Sequence, residues 1–173
     1  MGCVHIYYGD GKGKTTAAIG QGIRGAGSNM NVLVVRLLKT ENSSELAVLR
    51  AVKGIYVYPI EKSFNFYSSL SGDEKNEAFT YYNSLFEKAT AYTKQNSVDM
   101  VIFDEILDAI QMGIIKEENL IQFIDQYGPN LEIILTGRNP SETLVEKADY
   151  ISEMVKHKHP FDKGIKARKG IEY

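Results

Sequence analysis

Residues 9–16 read Gly9-Asp-Gly-Lys-Gly-Lys-Thr-Thr16, directly after the apolar run Cys3–Tyr8 and directly before the helix-forming Ala17-Ala-Ile-Gly20. A strand, a glycine-rich loop and a helix in that order are the parts of a phosphate-binding loop, or P-loop. Glycines let backbone amides close around phosphate oxygens that a side chain would keep away. A helix starting near Lys14 adds the positive end of its dipole. Lys14 supplies a mobile cation for the outer phosphates, and Thr15 the hydroxyl that completes a magnesium shell. Gly9, Asp10, Gly11, Lys12, Gly13, Lys14, Thr15 and Thr16 are therefore the expected nucleotide-binding residues. One departure matters: the general spacing Gly-x4-Gly-Lys-Thr needs glycine at position 8, where Tyr8 stands, so Gly9 comes one residue late. The competing reading is a glycine-rich turn with chance lysines. The agreement of three glycines, Lys14, Thr15 and the strand–helix context weighs against it.

Outward from this loop, apolar β-rich runs alternate with helix-like stretches. Strands are expected over 3–8, 32–38, 54–60, 100–103, 131–136 and near 150–151. Helices are expected over 14–27, 45–52, 72–95, 105–112, 117–126 and 141–147. Several strand runs are continuously apolar, as parallel strands buried on both faces are. The pattern predicts an α/β chain: a single-domain P-loop NTPase (RecA-like) fold over residues 1–173. Its mostly parallel sheet of about six strands is covered by helices on both faces. Such sheets place ligands at the carboxyl ends of their strands. The irregular stretch 61–71 is expected to loop over that site, and 156–173, rich in Lys, Arg and His, shows no clear period.

Composition narrows the setting. A length of 173 residues fits one domain with a proper core, and 43% hydrophobic with 24% charged residues argues against disorder. A formal charge of −2 gives no electrostatic reason to expect a nucleic-acid partner. The single cysteine, Cys3, cannot form an internal disulfide, which favours a reducing compartment. No apolar run approaches the roughly 20 residues that span a bilayer. Gly9, Asp10 and Lys12 interrupt the start too soon for a signal peptide. A cytoplasmic protein without a membrane partner is expected.

A second segment supports nucleotide chemistry. Val98-Asp-Met-Val-Ile-Phe-Asp104-Glu105 is an apolar strand ending in two acids. In P-loop proteins such an acid reaches magnesium directly or through water. Asp104 is expected to share that role with Thr15, and Glu105 to hold an outer-sphere water or a nucleotide hydroxyl, or to act as a base. The structural alternatives are a helix cap for Asp104 and first-turn stabilisation for Glu105. Arg138, after an apolar strand and Gly137, lies where a planar guanidinium reaches phosphate, unless it serves an ion pair. His157-Lys-His159 is thin evidence for a metal. Tyr81, Tyr82, Phe86 and Tyr92, at helical spacing, read as core or dimer packing.

With these segments in view, the sequence resembles the P-loop cob(I)alamin (corrinoid) adenosyltransferase family. The resemblance rests on Gly9 to Ala18, including the late first glycine, and on Val34-Val-Arg-Leu-Leu-Lys39 and Asp104-Glu105. It continues through Ile133-Ile-Leu-Thr-Gly-Arg138-Asn-Pro, Ala148-Asp-Tyr-Ile-Ser-Glu-Met154 and Gly170-Ile-Glu-Tyr173, so it covers nearly the whole chain.

The resemblance implies a transferase in which Co(I) of a corrinoid attacks the 5′ carbon of ATP. Tripolyphosphate leaves and adenosylcobalamin forms. Lys14, Asp104 and Glu105 are then the catalytic candidates. ATP, Mg2+ and cobalamin or another corrinoid are the implied cofactors and substrates. The implied assembly is a homodimer fed by a flavoprotein reductant. Also implied are an ATP held with its phosphates reversed, and aromatic rings wedged under the corrin to displace the lower cobalt ligand. The matching positions are Phe64 and Phe66, where the family usually has tryptophan at the second; this chain contains none, and without the resemblance the two read as core phenylalanines. Lys39 is a phosphate or corrin-side-chain candidate. Longer members carry an N-terminal segment over the site, whereas this chain begins at its first strand; the expectation is either a more openly bound corrinoid or a tail or partner in that role. The residues by themselves support a triphosphate binder. A P-loop ATPase or small-molecule kinase, and a non-catalytic ATP- or corrinoid-binding module, are the alternative readings.

Overall fold

The chain forms β1 (Val4–Tyr8), α1 (Lys14–Gly27), β2 (Val32–Arg36), α2 (Leu46–Ala51), β3 (Ile55–Val57) and α3 (Gly72–Gln95). It continues with β4 (Met100–Asp104), α4 (Ile106–Gln111), α5 (Glu117–Tyr127), β5 (Glu132–Gly137), α6 (Glu142–Lys147) and β6 (Tyr150–Glu153). The structure is a computed structural model that describes residues 1–64 and 67–172. The strands make one sheet in the order β3-β2-β4-β5-β1-β6, and every pairing is parallel. The expected α/β P-loop architecture is the one observed.

Continuous apolar strands arise because both faces of the sheet are covered. All five residues of β2 and of β4 are buried. Their side chains alternate between two cores, as the period of two requires. Leu33, Val35, Val101, Phe103, Ile133 and Leu135 meet Tyr82 and Phe86 of α3 and Phe123 of α5. Val32, Val34, Met100, Ile102 and Ile134 pack in the other core with Ala18, Leu46 and Leu49. On that side α1 comes close to the sheet because Gly22 has no side chain; a Cβ there would stand 2.9 Å from Ile102 Cδ1. The aromatic residues of α3 read as core are core: Tyr82 and Phe86 are buried and Tyr81 packs against them.

Element ends differ from the sequence pattern where local geometry intervenes. β2 stops at Arg36, two residues early, because Leu38 turns into the left-handed region (φ 53). β3 has only three residues and ends before Tyr58-Pro59, where a proline cannot donate to a ladder. β4 runs one residue further than expected, to Asp104, which pairs in register with Arg36. α3 starts where a capping box forms: Ser71 accepts from Glu74 N, and the Glu74 carboxylate accepts from Ser71 N at 2.8 Å.

One feature of this topology positions the site. The P-loop strand β1 and the acid-bearing strand β4 are not neighbours, because β5 lies between them. Their carboxyl ends therefore face each other across the end of β5.

Phe103 is the central ring of the larger core, with centroids 5.4 Å from Phe86 and 5.3 Å from Phe123. Phe103→Ala is expected to lower the unfolding free energy by about 3–5 kcal/mol in urea denaturation. A loss below about 1 kcal/mol would show that the core collapses around the missing ring.

Candidate active site

The P-loop turns sharply at two glycines. Gly9 and Gly13 both have φ 119, a conformation that side-chain-bearing residues rarely adopt. Gly13 has open space around it, so conformation alone requires glycine there. Gly9 and Gly11 carry a second demand. A Cβ on either would stand 2.4 or 2.6 Å from the carbonyl oxygen of Met154, just past β6. Gly11 N donates to that oxygen at 2.7 Å. The late first glycine thus gives an entrance held by Gly9 N on Gly137 O at 3.2 Å and pressed against the chain that follows β6.

Lys14 opens α1 and folds back over the loop, where its ammonium donates to Gly9 O at 2.8 Å and Gly11 O at 3.0 Å. Burial pulls its pKa below the ordinary lysine value, and the Glu105 carboxylate pulls in the opposite direction. The ammonium is thus held inside the loop by two neutral carbonyl acceptors.

At the carboxyl end of β4 the two acids diverge. Asp104 is 1% exposed. Its Oδ1 accepts from Thr15 Oγ1 at 2.8 Å and from Thr136 Oγ1 at 2.7 Å. Its Oδ2 is buried without a hydrogen-bond partner. Glu105 takes a left-handed backbone (φ 63), which directs its side chain into the cavity, and Thr136 Oγ1 accepts from its amide at 2.9 Å. The N-cap of α4 is Glu105, without a side-chain cap, so helix capping by Asp104 does not describe this corner. Lys39, after β2, completes it with Nζ 3.1 Å from Glu105 Oε1 and 3.6 Å from Asp104 Oδ2. Burial lowers the Lys39 pKa, but Asp104 and Glu105 outweigh this, and the net direction is upward.

The cavity in front of these groups has a volume of about 900 Å³, within the range of small-molecule sites. Gly11–Thr16, Lys39 and Glu105 form its polar floor, the loop at Thr40 and Ser43 forms one wall, and Gly170–Glu172 of the tail forms another. Arg36 supports the loop wall from below: its Nη2 donates to Thr40 O at 2.6 Å and Ser43 Oγ at 2.9 Å. Glu172 accepts from Arg168, which holds its carboxyl below the usual range.

The expected residues are not all brought together. Gly9, Gly11, Lys12, Gly13, Lys14, Thr15, Thr16, Asp104 and Glu105 meet at one place. Asp10 points away from the cavity floor and accepts from Lys156 N at 2.9 Å, so it ties down the chain beyond β6. That contact also lowers its pKa. Arg138 is largely exposed, with Nη1 3.9 Å from Asp108 Oδ1. Its carbonyl and that of Asn139 accept from Gln111 Nε2, which fixes the turn after β5. Phe64 is outside the cavity wall and packs on α3, 5.8 Å from Tyr81 and 5.7 Å from Tyr82. Phe66 lies outside the described residues. Among the described residues, no three His, Cys, Asp or Glu side chains are grouped to hold a metal.

The family model described as ATP:corrinoid adenosyltransferase BtuR/CobO/CobP matches residues 1–173. This chain belongs to the ATP:corrinoid adenosyltransferase family. A relative from Sinorhizobium named corrinoid adenosyltransferase is 30% identical over 99% of this chain and 80% of its own length. Another of that name from Escherichia coli K12 is 29% identical over 99% of this chain and 86% of its own. A solved structure, domain III of the Thermotoga maritima replication initiation protein DnaA, superposes with a TM-score of 0.41. It is 18% identical and covers 87% of this chain and 53% of that one, too distant to bear on function.

Within this family member, two residues that sequence reasoning did not single out help build the site. Arg36 gave no signal beyond a charge at the end of an apolar strand. Thr136 lies in the quoted Ile133–Pro140 segment, but its role depends on β5 lying beside β4. Thr136→Val keeps the shape and removes both hydroxyl bonds. It is expected to cost about 1–3 kcal/mol in urea denaturation, the scale of an unsatisfied buried group, and to weaken ATP binding in calorimetry. A variant as stable as the parent would mean that Asp104 needs no support from β5.

Proposed function

We propose that this chain is an ATP:corrinoid adenosyltransferase in which one domain, residues 1–173, provides both the triphosphate cradle and the corrinoid-facing surface. The observation that carries this reading is a P-loop joined to a buried acid through Thr15 and Asp104, in a chain matched by the family over its whole length. Triphosphate is the leaving group of the reaction, and a P-loop is a triphosphate holder.

Co(I) of the corrinoid supplies the electron pair that forms the cobalt–carbon bond. The bond from the 5′ carbon to oxygen breaks, and its electron pair leaves with the triphosphate. No proton need be taken from either substrate, so the chemistry requires no Ser, Cys or His nucleophile from the protein. The protein positions the reactants and receives charge. Lys14 exchanges the Gly9 and Gly11 carbonyls for phosphate oxygens, and the amino end of α1 faces the same oxygens. The phosphates would be held in the reversed order that brings the 5′ carbon outward.

Mg2+ fits the acid corner. Donating its proton to Asp104 leaves the Thr15 oxygen lone pairs free, and Asp104 Oδ2 is an orphaned buried acceptor beside them. One hydroxyl and one carboxylate suffice for an ion that keeps several waters and shares phosphates. When bound, it neutralises charge on the triphosphate. Glu105 would orient a ribose hydroxyl or a metal-bound water, and Arg138 would leave Asp108 for a phosphate oxygen. Phe64 and Phe66 are the proposed ring pair for the lower face of the corrin, a role that rests on the family resemblance. A flavoprotein reductant and a homodimeric assembly complete the proposal. Among the described residues, no helix is long and apolar enough to cross a membrane.

The test is an anaerobic reaction of the protein with ATP, Mg2+ and Co(I) cobalamin, following the corrin spectrum and phosphate products together. Adenosylcobalamin with stoichiometric tripolyphosphate is expected, and ADP without a cobalt–carbon product would make the protein an ATPase or kinase. In the same assay Lys14→Ala is expected to lower turnover at least about a hundredfold, the scale of a lost transition-state charge contact. Turnover within a few-fold of the parent would remove Lys14 from that role.

A further inference from the structure

Asp104 presents two oxygens in different states. Oδ1 is satisfied by the hydroxyls of Thr15 and Thr136. Oδ2 accepts no hydrogen bond, and the ammonium of Lys39 stands 3.6 Å from it and 3.1 Å from Glu105 Oε1. Lys39 is placed there by the left-handed turn of Leu38, which ends β2 beside β4. The oxygen open to a divalent cation or its bound water is therefore the one that Lys39 covers.

We propose that Lys39 is the resident counter-cation of the metal seat: it excludes free divalent metal from Asp104 and Glu105 and yields only to metal that arrives with a nucleotide. This rests on the reading of Thr15 and Asp104 as the metal-holding pair. A free dication entering this corner would meet an ammonium at a carboxylate nearly removed from water, where repulsion between like charges is poorly screened. A metal–triphosphate complex is different, because it brings negative oxygens that can receive the ammonium. Lys39 lines the same cavity as Lys14, so a rotation of its flexible stem carries the charge from carboxylate to phosphate. Other charges face the corner as well. Arg36 acts on Asp104 from the neighbouring strand, Glu105 and Asp108 attract Lys14, and Arg138 opposes it. Lys39 alone among these has its ion pairs with both acids of the corner. The consequence for the reaction is an order of binding, in which metal and nucleotide enter as one unit.

The experiment is titration with Mn2+, followed by electron paramagnetic resonance, on the full chain and on Lys39→Met and Lys39→Arg. Without nucleotide, Lys39→Met is expected to bind Mn2+ at least about tenfold more tightly than the parent, a typical coupling between sites. Lys39→Arg, which keeps the charge, should stay weak. With ATP present the order should reverse, the parent binding the metal–nucleotide complex more tightly than Lys39→Met. Adding Asp104→Asn to Lys39→Met should abolish the gain. Thermal melts confirm that each variant is folded, and Lys39→Gln replaces Lys39→Met if the latter is not. Free Mn2+ binding that is no tighter in the uncharged variant, or a gain that survives Asp104→Asn, overturns the proposal. If the parent binds Mn2+ with ATP and the uncharged variant gains nothing, only the Lys39 assignment fails. If neither protein binds Mn2+ even with ATP, the metal-seat reading fails with it.

Discussion

Burying a carboxylate at the end of a sheet is unfavourable unless donors or counter-charges surround it. Asp104 meets that condition with groups from three places: Thr15 from the start of α1, Thr136 from the end of β5 and Lys39 from beyond β2. None of these can move far without leaving a buried charge short of a partner, a change worth about 3–5 kcal/mol when such pairs are broken. The requirement of one carboxylate therefore ties the phosphate loop, the acid corner and the loop wall into one geometry. Arg36, in register with Asp104, extends the tie outward, because its guanidinium holds Thr40 and Ser43.

The opposite flank of the P-loop is held by a different kind of contact. Gly9 and Gly11 let the backbone at Met154 approach, and Asp10 accepts from Lys156 just beyond it. β6 itself is exposed at all four residues, yet the chain that leaves it braces the loop, and Gly170–Glu172 returns to line the cavity. The tail thus belongs to the site through Gly170, Ile171 and Glu172. Lys12 and Glu172 attract one another across this opening.

Features encoded by neighbouring residues were legible in the sequence. The P-loop is a local motif, and continuous apolar runs name strands buried on both faces, so the architecture followed from short stretches. Asp104 and Glu105 were legible as well, because an acid at the end of an apolar strand has few uses. What depends on strand order was not legible. Thr136 reaches Asp104 and the Glu105 amide only because β5 lies beside β4, and nothing in residue spacing fixes that order. Lys39 meets the acids only because β2 lies beside β4. Asp10 shows the converse limit: its place in a phosphate-binding motif suggested a ligand contact, while a segment 146 residues away claims its side chain. For Phe64, the helical neighbours Tyr81 and Tyr82 decide its surroundings, and their contact is set by tertiary packing.

Three of the strand ends that form the site are followed by non-glycine residues with left-handed backbones: Leu38 after β2 (φ 53), Glu105 after β4 (φ 63) and Asn139 after β5 (φ 42). Each such turn carries a strain on the order of 1–3 kcal/mol, and Leu38 and Glu105 set the direction of the two side chains that meet across the acid corner. Glycine would relieve the strain at either position. A lineage of variants selected only for heat resistance would therefore tend to replace Leu38 and Glu105 by glycine or asparagine. The second replacement would delete an acid, and the first would loosen the lysine that faces it. Thermal robustness and the cavity thus make opposite demands on the same two backbone positions.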